Sequence, residues 1–92
     1  MATVIIPIVF HGPTRGESSA EVAGETISGC FDLIEEKFPG LRELVIDPAT
    51  GSIHKFVKVT LNGELLARDP ATLAQTVSES DEIEVIAAIA GG

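Results

Sequence analysis

Thr26-Ile27-Ser28-Gly29-Cys30-Phe31-Asp32-Leu33-Ile34-Glu35-Glu36-Lys37-Phe38-Pro39-Gly40 carries the clearest structural signal in this chain. Ile27, Phe31, Ile34 and Phe38 fall four, three and four residues apart, and Cys30 joins the same stripe, which is one face of an α-helix. Asp32, Glu35 and Glu36 take the opposite face, read as a solvated surface. Thr26 is a suitable N-cap, whose side-chain oxygen is worth about 1 kcal/mol to a helix start. Pro39-Gly40 ends the helix, because proline cannot donate the next hydrogen bond. Gly29 costs about 1 kcal/mol against alanine inside a helix, so close packing on a sheet is its expected use.

Outward from the helix, the flanks read as strands. Residues 3–10 are apolar and β-branched, with Val4, Ile6, Ile8 and Phe10 as the inward set. Pro7 conflicts with a central strand, so either one side is open there or a bulge absorbs it. Residues 18–23 form a short second strand, reached by a loose loop through Gly12-Pro13 and Gly16. After the helix, residues 41–46 predict a short helical turn and residues 47–52 a loop. Residues 54–61 alternate, with Val57, Val59 and Leu61 on one side and Phe56, Lys58 and Thr60 on the other. Asn62-Gly63 then sets a hairpin, and residues 64–67 return. Residues 70–77 predict one helical turn packing Leu73 and Val77. Residues 81–89 are the last strand, with Ile83 and Val85 inward and Glu82 and Glu84 exposed. The result is one α+β domain, a mixed sheet of four or five strands wrapped on one main helix.

Composition bounds the function classes. Ninety-two residues support one core. A net charge of −8 argues against nucleic acid, which needs a basic face, and suits a partner with a basic docking surface. The apolar runs at residues 4–10 and 83–90 are too short to span a membrane, and a cytoplasmic protein is expected. The single cysteine excludes an internal disulfide, and no Cys/His cluster suits a metal. Cys30 lies on the apolar helix face and is expected in the core. His11 and His54 are isolated, and surface roles are expected for both. No Ser/His/Asp set, glycine-rich phosphate loop or pair of catalytic carboxylates stands out.

The last three residues of the sequence are Ala90-Gly91-Gly92. Such an end presents a carboxylate on the thinnest peptide tail possible, since neither glycine has a Cβ. Residues 1–87 are expected to form the domain and residues 88–92 a flexible tail without secondary structure. Fully extended, residues 87–92 reach about 20 Å, enough to enter a buried active site.

A hairpin, a helix, further strands and a protruding C-terminus form the ubiquitin-like, β-grasp order. The closing segment Ser80-Asp81-Glu82-Ile83-Glu84-Val85-Ile86-Ala87-Ala88-Ile89-Ala90-Gly91-Gly92 resembles the terminus of the ThiS/MoaD family of prokaryotic sulfur carriers. His54-Lys55-Phe56-Val57-Lys58-Val59-Thr60-Leu61-Asn62-Gly63-Glu64, with Ile6-Pro7, resembles the subgroup serving cysteine biosynthesis through a thiocarboxylate. Two departures from the family pattern are an acidic turn without glycine and Ala87-Ala88 where a proline pair is frequent.

The resemblance implies that the Gly92 carboxylate attacks the α-phosphate of ATP inside a separate activating enzyme. A sulfur donor displaces AMP from the acyl-adenylate and leaves a terminal thiocarboxylate. That sulfur passes to a biosynthetic enzyme such as a cysteine synthase. The carrier is then no enzyme and binds no cofactor of its own, because ATP and Mg belong to the activating partner. Ala90 and Gly91 serve as the slim approach to Gly92. Phe56, Lys58 and Ile86, on the outward phase of their strands, form the candidate partner-binding patch. Two alternatives share the adenylation step: a ubiquitin-like modifier joined to lysines, and the small subunit of a molybdopterin-synthase-like complex. A third class is an interaction domain with an inert tail.

Overall fold

The structure is a computed structural model that describes residues 1–87. The chain opens with β1 (Ala2–Ile5), a short α1 (His11–Thr14) and β2 (Ser19–Val22). The main helix α2 (Ile27–Lys37) and a single turn, α3 (Arg42–Val45), follow. A small separate pair, β3 (Ile46–Asp47) with β4 (Ser52–Ile53), comes next. β5 (Val57–Leu61), β6 (Glu64–Leu65) and β7 (Glu82–Ala87) complete the described chain. Five of the strands form one mixed sheet in the order β2-β1-β7-β5-β6. β1 and β7 run parallel within it, and the other pairs are antiparallel. The expected α+β, ubiquitin-like β-grasp architecture is the one observed. The tail expected at residues 88–92, and the end of the last strand at 88–89, lie outside the described residues.

The main helix follows its pattern closely. Ile27, Cys30, Phe31 and Ile34 are buried in one core with Val4, Val59, Ile83 and Val85 from the sheet. The Thr26 side chain accepts from Gly29 N at 3.0 Å, the expected cap. The role expected of Gly29 is corrected. A Cβ there would meet Thr26 Oγ1 at 3.2 Å, so the glycine leaves room for the cap and not for the sheet. The close approach is at Gly24, where a Cβ would lie 2.6 Å from Cys30 N and Sγ. Cys30 is buried in the core, as expected, and burial pushes its thiol pKa up.

Pro7 resolves as an end of the strand. Ile6 N donates to Ser18 O just past the end of β1 at Ile5. Pro7 has no N–H to continue the ladder. Instead its carbonyl accepts from Phe10 N in a 3-10 turn, Ile8–Phe10, that leads into α1. The expected eight-residue strand with a loose loop is therefore a four-residue strand with a structured return. Glu35 is a second correction, to the solvated helix face. Its two carboxylate oxygens accept from Gly40 N and Arg42 N, tying the exit of α2 to the start of α3. Arg42 Nε lies 2.9 Å from Asp32 in an ion pair on the same surface.

The strand phases of the second half stand. Val57, Val59, Ile83 and Val85 are buried, while Lys58, Glu82 and Glu84 are exposed. Asn62 and Gly63 both take positive φ, 51° and 88°, the torsions of the tight hairpin turn read from Asn-Gly. The return strand is shorter than expected: β6 is Glu64–Leu65, and Leu66 N adds one further bond to Val59 O. Leu73 sits in a second 3-10 turn, Pro70–Ala74, and is buried with Val77.

Asp81 joins the Asn62-Gly63 turn to the last strand. Its carboxylate accepts from Ser78 N at 2.7 Å and Asn62 Nδ2 at 2.8 Å, while Asn62 Oδ1 accepts from Glu82 N. These bonds hold its pKa below the ordinary value, and backbone bonds from Gly40 and Arg42 do the same for Glu35. A depressed carboxylate stabilises the fold above its unfolded pKa of about 4, and that contribution disappears as pH falls through the folded value. Thermal unfolding should therefore move to lower temperature below about pH 4. The acid slope should be shallower in Asp81→Asn and Glu35→Gln. An unchanged slope in both variants would contradict the assignment.

Candidate functional site

The surface around the end of β7 is built by the β5–β7 register. Val57 lies opposite Ala87, Lys58 opposite Ile86 and Thr60 opposite Glu84. Directly opposed residues share a face, so Lys58, Ile86, Thr60 and Glu84 are neighbours on the outer side. Leu65, opposite Thr60 across the β5–β6 pair, extends this face. Among the described residues, the β1–β7 pairing runs from Thr3 and Glu82 to Ile5 and Glu84, and β1 ends two residues before Pro7.

Two of the three candidate patch residues are brought together, Lys58 and Ile86. Phe56 is exposed as expected, but it is not in the strand. It belongs to a turn in which Val57 N donates to His54 O, immediately before β5 begins. Arg68 donates from Nε to His54 O at 3.1 Å and from Nη2 to Val57 O at 3.0 Å, tying this turn to the segment that follows β6. Phe56 keeps 55% of its surface exposed and Ile86 41%. Leu65, at 63%, is an exposed apolar residue outside the patch expected from the sequence. The Asn-Gly turn carries its signal, since that turn fixes which residue opposes Thr60.

His54 is a surface residue, as expected. Its Nε2 lies 3.0 Å from Glu43 O and its Nδ1 3.9 Å from an Asp47 carboxylate oxygen. Among the described residues no group of three His, Cys, Asp or Glu side chains could hold a metal ion, and no helix is long and apolar enough to cross a membrane. Gly92, Gly91 and Ala90 lie outside the described residues.

An exposed Phe56 yields a direct expectation. Phe56→Ala should shift stability by less than about 1 kcal/mol, since the ring buries little in the fold. If the ring is an anchor for a protein partner, the same change weakens that binding by at least about 1 kcal/mol. Chemical denaturation beside titration calorimetry separates the two. A stability loss of several kcal/mol would place the ring in the core.

The chain is similar throughout its length to known carriers. The ThiS family model matches residues 12–92. The sulfur carrier protein CysO of Mycobacterium tuberculosis is 31% identical over 91 residues, spanning 98% of this chain and 97% of that protein. The crystal structure of Mycobacterium tuberculosis CysO aligns with a TM-score of 0.86 at 28% identity, covering 97% of this chain and 100% of that one. A chain in the crystal structure of the Amycolatopsis orientalis BexX/CysO complex aligns with a TM-score of 0.85 at 27% identity over 100% of both chains. Fold and sequence agree on one lineage, and the chain belongs to the ThiS family.

Proposed function

We propose that this protein is a sulfur carrier for cysteine biosynthesis, with Gly92 as the sulfur-bearing residue. The observation that carries the reading is the family match, which runs through residue 92 and so includes Gly91-Gly92. The likeness to CysO over 98% of the chain supports the choice of pathway.

The chemistry divides between carrier and partners. An oxygen of the Gly92 carboxylate attacks the α-phosphorus of ATP, and pyrophosphate leaves. Sulfide-level sulfur then attacks the acyl carbon of the adenylate, a C–S bond forms, and AMP departs with the electron pair of the broken C–O bond. The thiocarboxylate sulfur attacks an electrophile held by the accepting enzyme, and water then hydrolyses the acyl link, returning Gly92 to a carboxylate and leaving the sulfur on the acceptor. Each of these steps uses groups of the partner enzymes, with ATP and Mg bound by the activating one. The carrier contributes a terminal carboxylate, a slim approach through Ala90 and Gly91, and a domain that docks. Residues 1–87 are the docking domain and residues 88–92 the reactive tail, in a cytoplasmic protein.

The Lys58–Ile86 pair with Phe56 is the proposed docking patch, beside the end of β7 from which the chain continues toward Gly92. The BexX/CysO complex of a relative supports a carrier that works while bound to another protein. The test is carrier-dependent ATP–pyrophosphate exchange with the activating enzyme of the same genome. Exchange that rises with carrier concentration and disappears without it is expected. No exchange with any adenylating enzyme of that genome would overturn the reading. The product separates the alternatives: a free thiocarboxylate marks the carrier, and an isopeptide bond to lysine the modifier.

A further inference from the structure

We propose that the cleft between the β3–β4 pair and Phe56 is a docking site for an acidic, aliphatic segment of a partner protein. The cleft has a volume of about 580 Å³, and its walls include Asp47, Ile53, His54, Lys55, Phe56 and Arg68. It lies beside the Phe56 patch, so the identity of the partner rests on the carrier reading, while the chemistry of the segment does not.

The first support is charge. The chain holds 14 acidic and 6 basic residues, yet Lys55, Lys58 and Arg68 place half of the basic ones within 14 consecutive positions. Glu64 is the sole acidic residue from position 48 to position 68. Among the described residues, no carboxylate lies within ion-pair distance of Lys55, Lys58 or Arg68. Two of these cations, Lys55 and Arg68, line the cleft against one wall carboxylate, Asp47, while Lys58 lies outside it on the adjoining sheet face. The cleft therefore carries a net positive charge in a protein of net charge −8.

The second support is order. Arg68 is held by its bonds to His54 O and Val57 O, which use two of its five N–H donors and leave others for an incoming carboxylate. Lys55 Nζ lies 5.1 Å from the centroid of the Phe56 ring, within cation–π range. His54 is fixed against Glu43 O. Groups already positioned lose less freedom on binding.

The third support is the mixture of wall types. An exposed aromatic ring beside cations suits a segment that alternates carboxylates with aliphatic side chains. A small inorganic anion would use the cations and leave Phe56 idle. Glu82 and Glu84, exposed on the sheet, repel such a segment elsewhere and so fix where it lies.

The test uses the full-length, isotope-labelled protein and two synthetic capped peptides, Asp-Leu-Glu-Leu-Asp and its neutral counterpart Asn-Leu-Gln-Leu-Asn. The acidic peptide should shift the backbone amides of Lys55, Phe56 and Arg68 saturably. Its affinity should fall several-fold as salt rises from low to about 0.15 M, where charges are screened beyond about 8 Å. The double variant Lys55→Glu, Lys58→Glu should bind about tenfold more weakly, and Lys37→Glu, whose lysine lies at the C-terminal end of α2, should bind as wild type. Both variants retain the core, so their spectra report folding directly. The proposal is overturned by absent or non-saturable shifts, by equal binding of the neutral peptide, by an equal loss in Lys37→Glu, or by the same shifts with inorganic phosphate alone. Thiocarboxylation measured on the same preparation keeps the failures apart. A thiocarboxylated protein that ignores the peptide sinks only the cleft, and a peptide-binding protein that is never activated sinks only the carrier.

Discussion

Deleting Gly92 should abolish activation while leaving the fold untouched. Among the described residues every buried core residue lies between Ala2 and Val85, and a glycine has no side chain whose removal could leave a cavity. Unfolding should therefore match the wild type by temperature and by denaturant. The chemical loss is geometric. Removing one residue withdraws the carboxylate by up to about 3.5 Å along an extended chain. In-line attack needs the reacting atoms about 3–3.5 Å apart, and a misplacement near 1 Å already costs on the order of 100-fold. Activation should fall by at least that factor. Adding a residue after Gly92 should be equally damaging, because the reach is then too long. Normal activation of either variant would remove Gly92 from its proposed role.

The largest stability effect from a small change should come from Gly24→Ala. A Cβ at this position would lie 2.6 Å from both the nitrogen and the sulfur of Cys30, and 2.8 Å from its Cα. Two of those three atoms are helix backbone, so α2 or the β2–α2 connection must move. That connection is anchored on both sides, since Ile27 N donates to Gln75 O and Val77 N to Glu25 O. Forced overpacking of this kind costs about 1–3 kcal/mol, which lowers Tm by about 10 °C in a domain of this size. Cys30→Ala in the same chain should not restore stability, because the backbone contacts remain. Gly29→Ala is the contrast: helix propensity gains about 1 kcal/mol, offset by crowding of the Thr26 cap at 3.2 Å. It should stay within about 1 kcal/mol of wild type. Calorimetry of the three variants decides the matter, and wild-type Tm in Gly24→Ala would show that the connection is slack.

Those two glycines mark what a sequence can and cannot convey. Gly29 looks costly because it interrupts a helix, a property of neighbours along the chain. Gly24 looks harmless, since its close contact is with a residue on the next element and only the folded path brings them together. The same division holds elsewhere. Helix α2, the phases of β5 and β7, and the Asn62-Gly63 turn are legible because periodicity and torsional preference are local. The β3–β4 pair reads as a loop in the sequence, as two-residue strands have no period to detect. Glu35 and Arg68 are invisible as anchors because their partners are backbone groups, which leave no trace in side-chain patterning. Phe56 falls on the correct side for an incomplete reason, exposure following from a turn and not from strand phase. The proposed reactive end, Gly91-Gly92, is read from the sequence alone and lies outside the described residues, while the convergence of residues 47, 54 to 56 and 68 is opaque in the sequence.

The most direct test of the central claim is the intact mass of the protein after expression beside the activating enzyme of its own genome. The account predicts a gain equal to the difference between one sulfur and one oxygen atom. Fragmentation should place that gain at Gly92, and alkylation of the terminal sulfur should shift it further. An unchanged mass in the presence of active enzyme and sulfide would contradict the account, and so would a sulfur located on Cys30.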